Sequence, residues 1–119
     1  MWHSYIWGRH AAERAQEGDH PLLILALLEA EPRHGYELSK LIEGKSGGVV
    51  KVYAASLYPL LYQLERKGFI AGSWVERPGQ RRRRFYRLTS DGRRQLERQR
   101  RSFAEFVRAV SVVAGVEYA

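Results

Sequence analysis

The chain has 119 residues, 45% of them hydrophobic, and its 20 lysines and arginines outnumber its 13 acids to give a formal charge of +7. This length suits one domain with a modest core that a second copy would enlarge, and a domain this basic usually meets a polyanion or an acidic surface. Cysteine is absent, which excludes disulfides, thiol chemistry and cysteine–zinc sites. No apolar run is long enough to cross a bilayer and the N-terminus does not resemble a signal peptide, so we expect a cytoplasmic protein that has no membrane partner and binds nucleic acid.

The N-terminal segment, residues 1–18, is predicted to be a separate arm or helix. Trp2, Ile6 and His10 recur every four residues and would share one helical face, so the arm would dock on its own domain or on a partner subunit. A flexible tail is the alternative, because chain termini are often disordered.

Two helices are predicted to follow the arm. Asp19 caps the first and Pro21 lies in its opening turn, and the run LLILALLEA is apolar on nearly every side, as in a helix enclosed by others. Glu31-Pro32 ends it, since a residue before proline avoids helical geometry. The next segment, HGYELSKLIEG, should bury Leu38, Leu41 and Ile42 and stop at Gly44.

The segment ASLYPLLYQLERKG predicts a third, amphipathic helix. Its leucines recur at i, i+3, i+4 and i+7, which makes one apolar stripe of Leu57, Leu60, Leu61 and Leu64. With Ser56 as N-cap, Pro59 would fall at the third helical position, where its missing N–H has no intrahelical partner. We therefore expect the helix to begin at Ser56, with tyrosines and Arg66 on its outer side.

A hairpin is predicted next, because FIAGSWVE and RRFYRLT flank a Pro78-Gly79 turn. Its tip carries four consecutive arginines, Arg81 to Arg84, and alternation along a strand would place Arg81 and Arg83 on one side. Four like charges without intervening acids repel one another, a cost that a bound polyanion would remove. A merely solvated basic face is the alternative.

The last helix should be capped by Thr89 and occupy residues 90–119. Its apolar residues recur at sevens, threes and fours, which favours a dimerisation seam formed by Leu96, Phe103, Phe106, Val107, Val110 and Val113. The arginines in its first half would form either a solvated face or a contact with DNA or a partner. A small apolar or aromatic effector could enter the cleft between two subunits, although simple packing explains the same residues.

Three motifs resemble the PadR family of bacterial transcriptional regulators: HGYEL at 34–38, SLYPLLYQLERKGFI at 56–70 and RRRRFYRLTSDGRRQL at 81–96. The resemblance extends from about Pro21 to Leu96. It implies a winged-helix domain, a C-terminal dimerisation helix, and repression that a small molecule or a stress signal relieves. The single helix after Thr89 resembles the smaller class of that family.

The predicted fold is thus mainly α with a small β-hairpin: a winged helix-turn-helix domain at residues 19–89, with the N-terminal arm and the C-terminal dimerisation helix. Groove and phosphate contacts with duplex DNA are expected from Tyr36, Lys51, Ser56, Tyr58, Tyr62, Arg66, Arg81, Arg82 and Arg83. Tyr36 could equally be a core residue with its hydroxyl at the rim.

The predicted function is that of a homodimeric repressor that binds an inverted repeat. One alternative is a winged helix that binds nucleic acid without sequence choice, as nucleoid-associated or RNA-binding proteins do, and another is an interaction module whose hairpin docks an acidic partner. We expect no cofactor and no metal, because the four histidines lack ligand spacing. We also expect no enzymatic activity, because neither a phosphate-binding glycine loop nor a nucleophile elbow is present.

Overall fold

The computed structural model describes residues 20–117. Its elements in chain order are α1 (residues 20–28), β1 (Arg33–His34), α2 (Gly35–Lys45), α3 (Ala54–Arg66), β2 (Ile70–Val75), β3 (Arg83–Leu88) and α4 (Ser90–Ala114). The predicted arm and the predicted cap at Asp19 lie outside this range. No helix between residues 20 and 117 is long and apolar enough to cross a membrane.

One hydrophobic core joins the first three helices to the hairpin and to the start of α4. The apolar faces predicted for α1, α2 and α3 point into it, except that Leu41 of α2, predicted to be buried, is half-exposed and lines an apolar cleft beside α1. Each fully buried leucine or isoleucine contributes about 1.5–3 kcal/mol relative to an exposed one. Side chains with no exposed surface come from all four helices: Ile24, Leu25, Leu38, Leu57, Leu61 and Leu96. The mainly helical fold with a small sheet is therefore confirmed.

Helix α2 begins where the HGYEL motif places it. The His34 ring caps the helix, since its Nδ1 accepts the Glu37 N–H at 3.2 Å. The helix continues one residue past Gly44, where the sequence predicted its end, and Gly44 does not adopt the left-handed conformation that ends many helices. The chain turns instead at Gly47 and Gly48, whose φ angles are 65° and 82°.

Helix α3 begins at Ala54 rather than at Ser56, so the predicted serine cap is wrong. Tyr53 is the N-cap, and its carbonyl accepts the N–H groups of both Ser56 and Leu57 at 3.0 Å. Alanines at 54 and 55 favour the extra turn, and Pro59 lies inside the helix. The proline leaves the Ala55 carbonyl without its helical donor, but both residues are exposed, so water can reach that carbonyl.

The hairpin is confirmed, and it belongs to a three-stranded antiparallel sheet in the order β1-β3-β2. Arg33 and His34 of β1 pair with Tyr86 and Phe85 of β3, a pairing that the sequence did not predict. At the tip, the Gln80 N–H donates to the Arg77 carbonyl at 3.0 Å and Gly79 has a φ of 73°. Proline at the second position and a left-handed glycine at the third are typical of a type II turn.

Helix α4 starts against the junction of α3 and β2. Thr89 caps it as predicted, by accepting the Gly92 N–H at 3.0 Å, and its hydroxyl donates to the Gly68 carbonyl at 2.6 Å. A Cβ on Gly92 would lie 2.0 Å from the Phe69 carbonyl oxygen, so only glycine permits this approach. The Arg100 guanidinium also donates to both carboxylate oxygens of Glu29 just beyond α1, at 3.0 and 3.2 Å.

Leu96 was predicted to lie on the subunit seam, but it is 0% exposed and belongs to the core of its own chain. The reason is that the first two turns of α4 lie against the core formed by the three preceding helices and the hairpin. Further along, the helix leaves the core, and the apolar side chains of its second half are exposed: Phe103, Phe106, Val110 and Val113. Val107 is half-buried. The helix ends at Ala114, capped by Gly115 with a φ of 70°.

Candidate nucleic-acid interface

The outer face of α3 carries the polar and aromatic side chains that the sequence placed there. Because Leu57, Leu61 and Leu64 face the core, the opposite side of the helix is open to solvent. Tyr58 is 52% exposed and Tyr62 is 62% exposed. Ser56 and Arg66 are exposed as well, and the Arg66 guanidinium lies 5.9 Å from the centre of the Tyr62 ring.

Tyr58 also contacts α2. Its ring crosses the backbone of Gly35, where an added Cβ would lie 2.9 Å from the ring. The tyrosine therefore helps to set the angle between the two helices while half of it stays accessible. Tyr36, next to this contact, is 53% exposed, which excludes the alternative that placed it in the core, and the Lys40 ammonium lies 5.4 Å from its ring centre.

On the hairpin, two of the four arginines are paired within the chain. Arg84 donates to Glu65 at 2.6 Å, and Arg82 lies 3.6 Å from Glu76. The argument that no acid offsets this charge is therefore wrong for these two positions, because Glu65 comes from α3 and Glu76 from the opposite side of the same hairpin. Both guanidiniums also lie over the Trp74 ring, at 4.6 Å for Arg82 and 5.6 Å for Arg84.

Glu65 joins α3 to the hairpin. Its carboxylate accepts from Arg84 and also from the N–H of Gly72 at 3.1 Å. Gly72 belongs to β2, an edge strand of the sheet, so this N–H would otherwise face outward. A Cβ on Gly72 would lie 2.6 Å from the Arg84 guanidinium, so a larger residue here would displace Arg84 from its present position. The contact fixes the hairpin relative to α3.

His34 connects α2 to the other side of the hairpin. The Arg83 guanidinium lies 3.1 Å from its Nε2, and the Phe85 ring meets the imidazole edge to face at 5.2 Å. Burial, and then the charge of Arg83, hold the pKa of His34 below its ordinary value, against the smaller effect of the Glu37 carboxylate. His34 and Glu37 thus both belong to the start of α2, where the ring accepts the Glu37 N–H.

An open groove of about 500 Å³ lies between α3, the start of α2 and the hairpin. Of the predicted DNA contacts, the structure brings together in this groove Tyr36, Tyr58, Arg81, Arg82 and Arg83. Ser56, Tyr62 and Arg66 lie along the exposed face of α3, outside the groove lining. Lys51 is exposed beside the buried Val52, whose carbonyl accepts from the Ser39 hydroxyl at 2.6 Å.

Two residues of the groove were missed from the sequence. Trp74 is 54% exposed and faces Arg84 in the strand register, whereas counting outward from the Pro78-Gly79 turn would have paired it with Arg83. His34 reaches the groove through β1, which has only two residues and leaves no pattern in the sequence. Within residues 20–117, no group of three or more histidines and acids could hold a metal ion.

Three packed helices with a basic hairpin beside the third define the winged-helix class. The family model described as "Transcriptional regulator PadR-like family" matches residues 24–98, and the chain belongs to that family.

Three comparisons illustrate this membership. An uncharacterized protein of Lysinibacillus sphaericus is 30% identical over 83 residues, which cover 70% of this chain and 76% of that protein. A PadR family transcriptional regulator from Eggerthella lenta is 27% identical, with a TM-score of 0.75 over 98% of this chain and 99% of its own. Bacillus subtilis PadR in complex with operator DNA is 25% identical, with a TM-score of 0.60 over 65% of this chain and 42% of its own.

Proposed function

We propose that this chain is a sequence-specific DNA-binding transcriptional regulator, with α3 in the major groove and the hairpin acting as a wing on the flanking phosphates. One observation carries the proposal: an open groove brings Tyr58 of α3 and Tyr36 of α2 together with the arginines of the hairpin. Family membership, and the operator complex of the Bacillus subtilis relative, support it.

The two parts of this surface would have different tasks. The major groove admits an α-helix and displays a distinct pattern of donors, acceptors and methyl groups for each base pair, so Ser56, Tyr58 and Tyr62 would supply sequence choice. Arginines bind phosphate oxygens with little regard to sequence, so Arg81 and Arg83 would supply affinity and register. Tyr36 and Lys51 would anchor the backbone beside α3.

We further propose that the protein is a homodimer joined through the second half of α4. Phe103, Phe106, Val110 and Val113 are between 39% and 89% exposed, and a second copy of the helix would cover them. A twofold dimer places two recognition helices about one helical turn of DNA apart, so the operator would be an inverted repeat. An effector at this seam stays a prediction.

Repression is the regulatory outcome that we propose, since a dimer held on an operator excludes other proteins from that stretch of DNA. The protein would act in the cytoplasm, on the chromosome, and without enzymatic activity. The family and the solved structures that resemble the chain are transcriptional regulators, in keeping with a role in binding rather than in chemistry.

Selection from a randomised duplex DNA pool, at physiological salt, tests the proposal. An enriched inverted repeat, bound in preference to bulk DNA by several kcal/mol, is the expected result. Binding without enrichment would instead support the alternative of nucleic-acid binding without sequence choice. Absence of binding would remove DNA as the partner and favour an acidic protein.

A further inference from the structure

We propose that the hairpin and the start of α2 form a pocket for a single phosphate group, built by Arg77, Gln80, Arg81 and Arg83 around the His34 ring. The proposal deepens the proposed function, on which it rests for the source of the phosphate, namely the backbone of bound DNA.

The pocket is small and basic. Its volume is about 100 Å³, which suits one phosphate group but not a nucleotide, and its lining contains three arginines and no acid. The type II turn brings Arg77 to one side of it, because Gln80 donates to the Arg77 carbonyl. The Arg77 guanidinium is held 5.6 Å from the centre of the Phe85 ring, and Phe85 in turn packs on His34.

The hydrogen bond of the His34 ring within its own helix leaves the second ring nitrogen available to a ligand. Nδ1 accepts the Glu37 N–H at 3.2 Å, so in the neutral ring the proton belongs on Nε2. Arg83 Nη1 lies 3.1 Å from that same Nε2 and 3.4 Å from Nδ1, so the guanidinium lies over the ring, beside the Nε2 proton. A phosphate oxygen would accept from both of them.

A bound phosphate would also reverse the electrostatics of the imidazole. In the free protein, burial and the Arg83 guanidinium hold the pKa of His34 down. Charged groups face the ring from the hairpin and from α2: Arg77, Arg81, Arg83 and Glu37. An anion within about 4–6 Å favours the charged imidazolium, so we expect the pKa of His34 to rise when phosphate binds.

The test is a pH titration of the histidine ring nitrogens by NMR on the full chain. His34→Asn identifies the resonances, and Asn preserves the helix cap. The titration is run in chloride, in inorganic phosphate at matched ionic strength, and with a short duplex. We expect phosphate and the duplex each to raise the His34 midpoint by about one pH unit, equivalent to tenfold tighter binding to the protonated ring.

Two variants tie the response to the pocket. Arg77→Gln should abolish most of the shift, whereas Arg108→Gln, which removes an exposed charge from α4, should leave it unchanged. A shift with phosphate but not with the duplex would retain the pocket and replace DNA by a free phosphate-bearing molecule as its ligand.

Failure of the phosphate pocket and failure of the proposed function would give different results. If the duplex binds, as followed by fluorescence anisotropy, while His34 responds to neither phosphate source, the pocket is overturned and the proposed function stands. If no duplex binds, the proposed function fails, and the titration in inorganic phosphate still decides whether the pocket exists.

Discussion

The contact of Glu65 with Arg84 and Gly72 should control both the stability of the domain and its choice of DNA. The two charged side chains are 29% and 30% exposed and 2.6 Å apart, and the same carboxylate accepts the Gly72 N–H at 3.1 Å. We consider Glu65→Ala, Arg84→Ala and the double variant, whose double-mutant cycle isolates the pair from the cation–π contacts of Arg84.

The magnitude follows from the partial burial. Exposed ion pairs contribute about 0.2–1 kcal/mol, and hydrogen bonds to charged groups about 1.5–3 kcal/mol. A pair that is about one-third exposed should fall between these values, so we expect a coupling energy of about 1–2 kcal/mol. Glu65→Ala also removes the acceptor of the Gly72 N–H and should cost about 2–3 kcal/mol in total, or roughly 8–20 °C in Tm.

Urea denaturation of the four proteins measures the coupling energy. The matched control is the pair Asp91 and Arg94, both 64% exposed, which should couple by less than about 0.5 kcal/mol. A coupling for Glu65 and Arg84 as small as in the control would refute the claim that this contact fixes the hairpin.

The same variant separates specific from nonspecific binding. Glu65→Ala removes one negative charge beside the groove and leaves Arg84 without its carboxylate partner, so affinity for random duplex should not fall. Affinity for the selected operator should fall, because the hairpin is no longer held relative to α3. An unchanged ratio of the two affinities would contradict this account of the hairpin.

The remaining predictions address other parts of the structure. Gly92→Ala should destabilise the protein by more than about 2 kcal/mol in a thermal melt, because a Cβ there meets the Phe69 carbonyl. Gly44→Ala should instead stabilise it by up to about 1 kcal/mol, because Gly44 lies within α2 and a Cβ there meets open space. Arg83→Ala should reduce the slope of log affinity against log salt by about 0.9, an effect that Arg108→Ala should not reproduce. Phe106→Asp should yield monomers in light scattering at concentrations where Val112→Asp, also exposed but on the other side of α4, leaves dimers. Because the folded protein holds the pKa of His34 below its ordinary value of 6.5, stability should decrease as pH falls below 6.5, and a melt of His34→Asn should lose that part of the decrease.

The features predicted correctly depend on neighbours close in the chain. The leucines of α3 recur with helical period, and the Pro78-Gly79 turn separates two strand-forming runs, so each element is encoded within its own segment. The prediction from local sequence was wrong at the start of α3, where a capping preference and a helix preference compete. Ser56 is a good capping residue, but Ala54 and Ala55 favour helix, and α3 begins before the serine.

The features predicted incorrectly depend on residues that are distant in the chain. The heptad-like spacing of Leu96 and Phe103 is the same whether a helix faces its own core or a second subunit, and only packing shows that Leu96 is buried in its own chain. Likewise, the four arginines look uncompensated until the fold brings Glu65 to Arg84. The groove itself needs β1 to bring His34 beside the hairpin, and a strand of two residues has no periodicity to detect.

The central claim, that α3 and the hairpin together bind DNA, is tested most directly by an NMR map of the backbone amides and arginine side chains with the selected duplex. We predict that the perturbed resonances cluster in α3 and in the hairpin between Arg77 and Arg84, while those of the second half of α4 stay unchanged. Perturbations confined to the arginines of α4, with α3 and the hairpin unaffected, would contradict the claim.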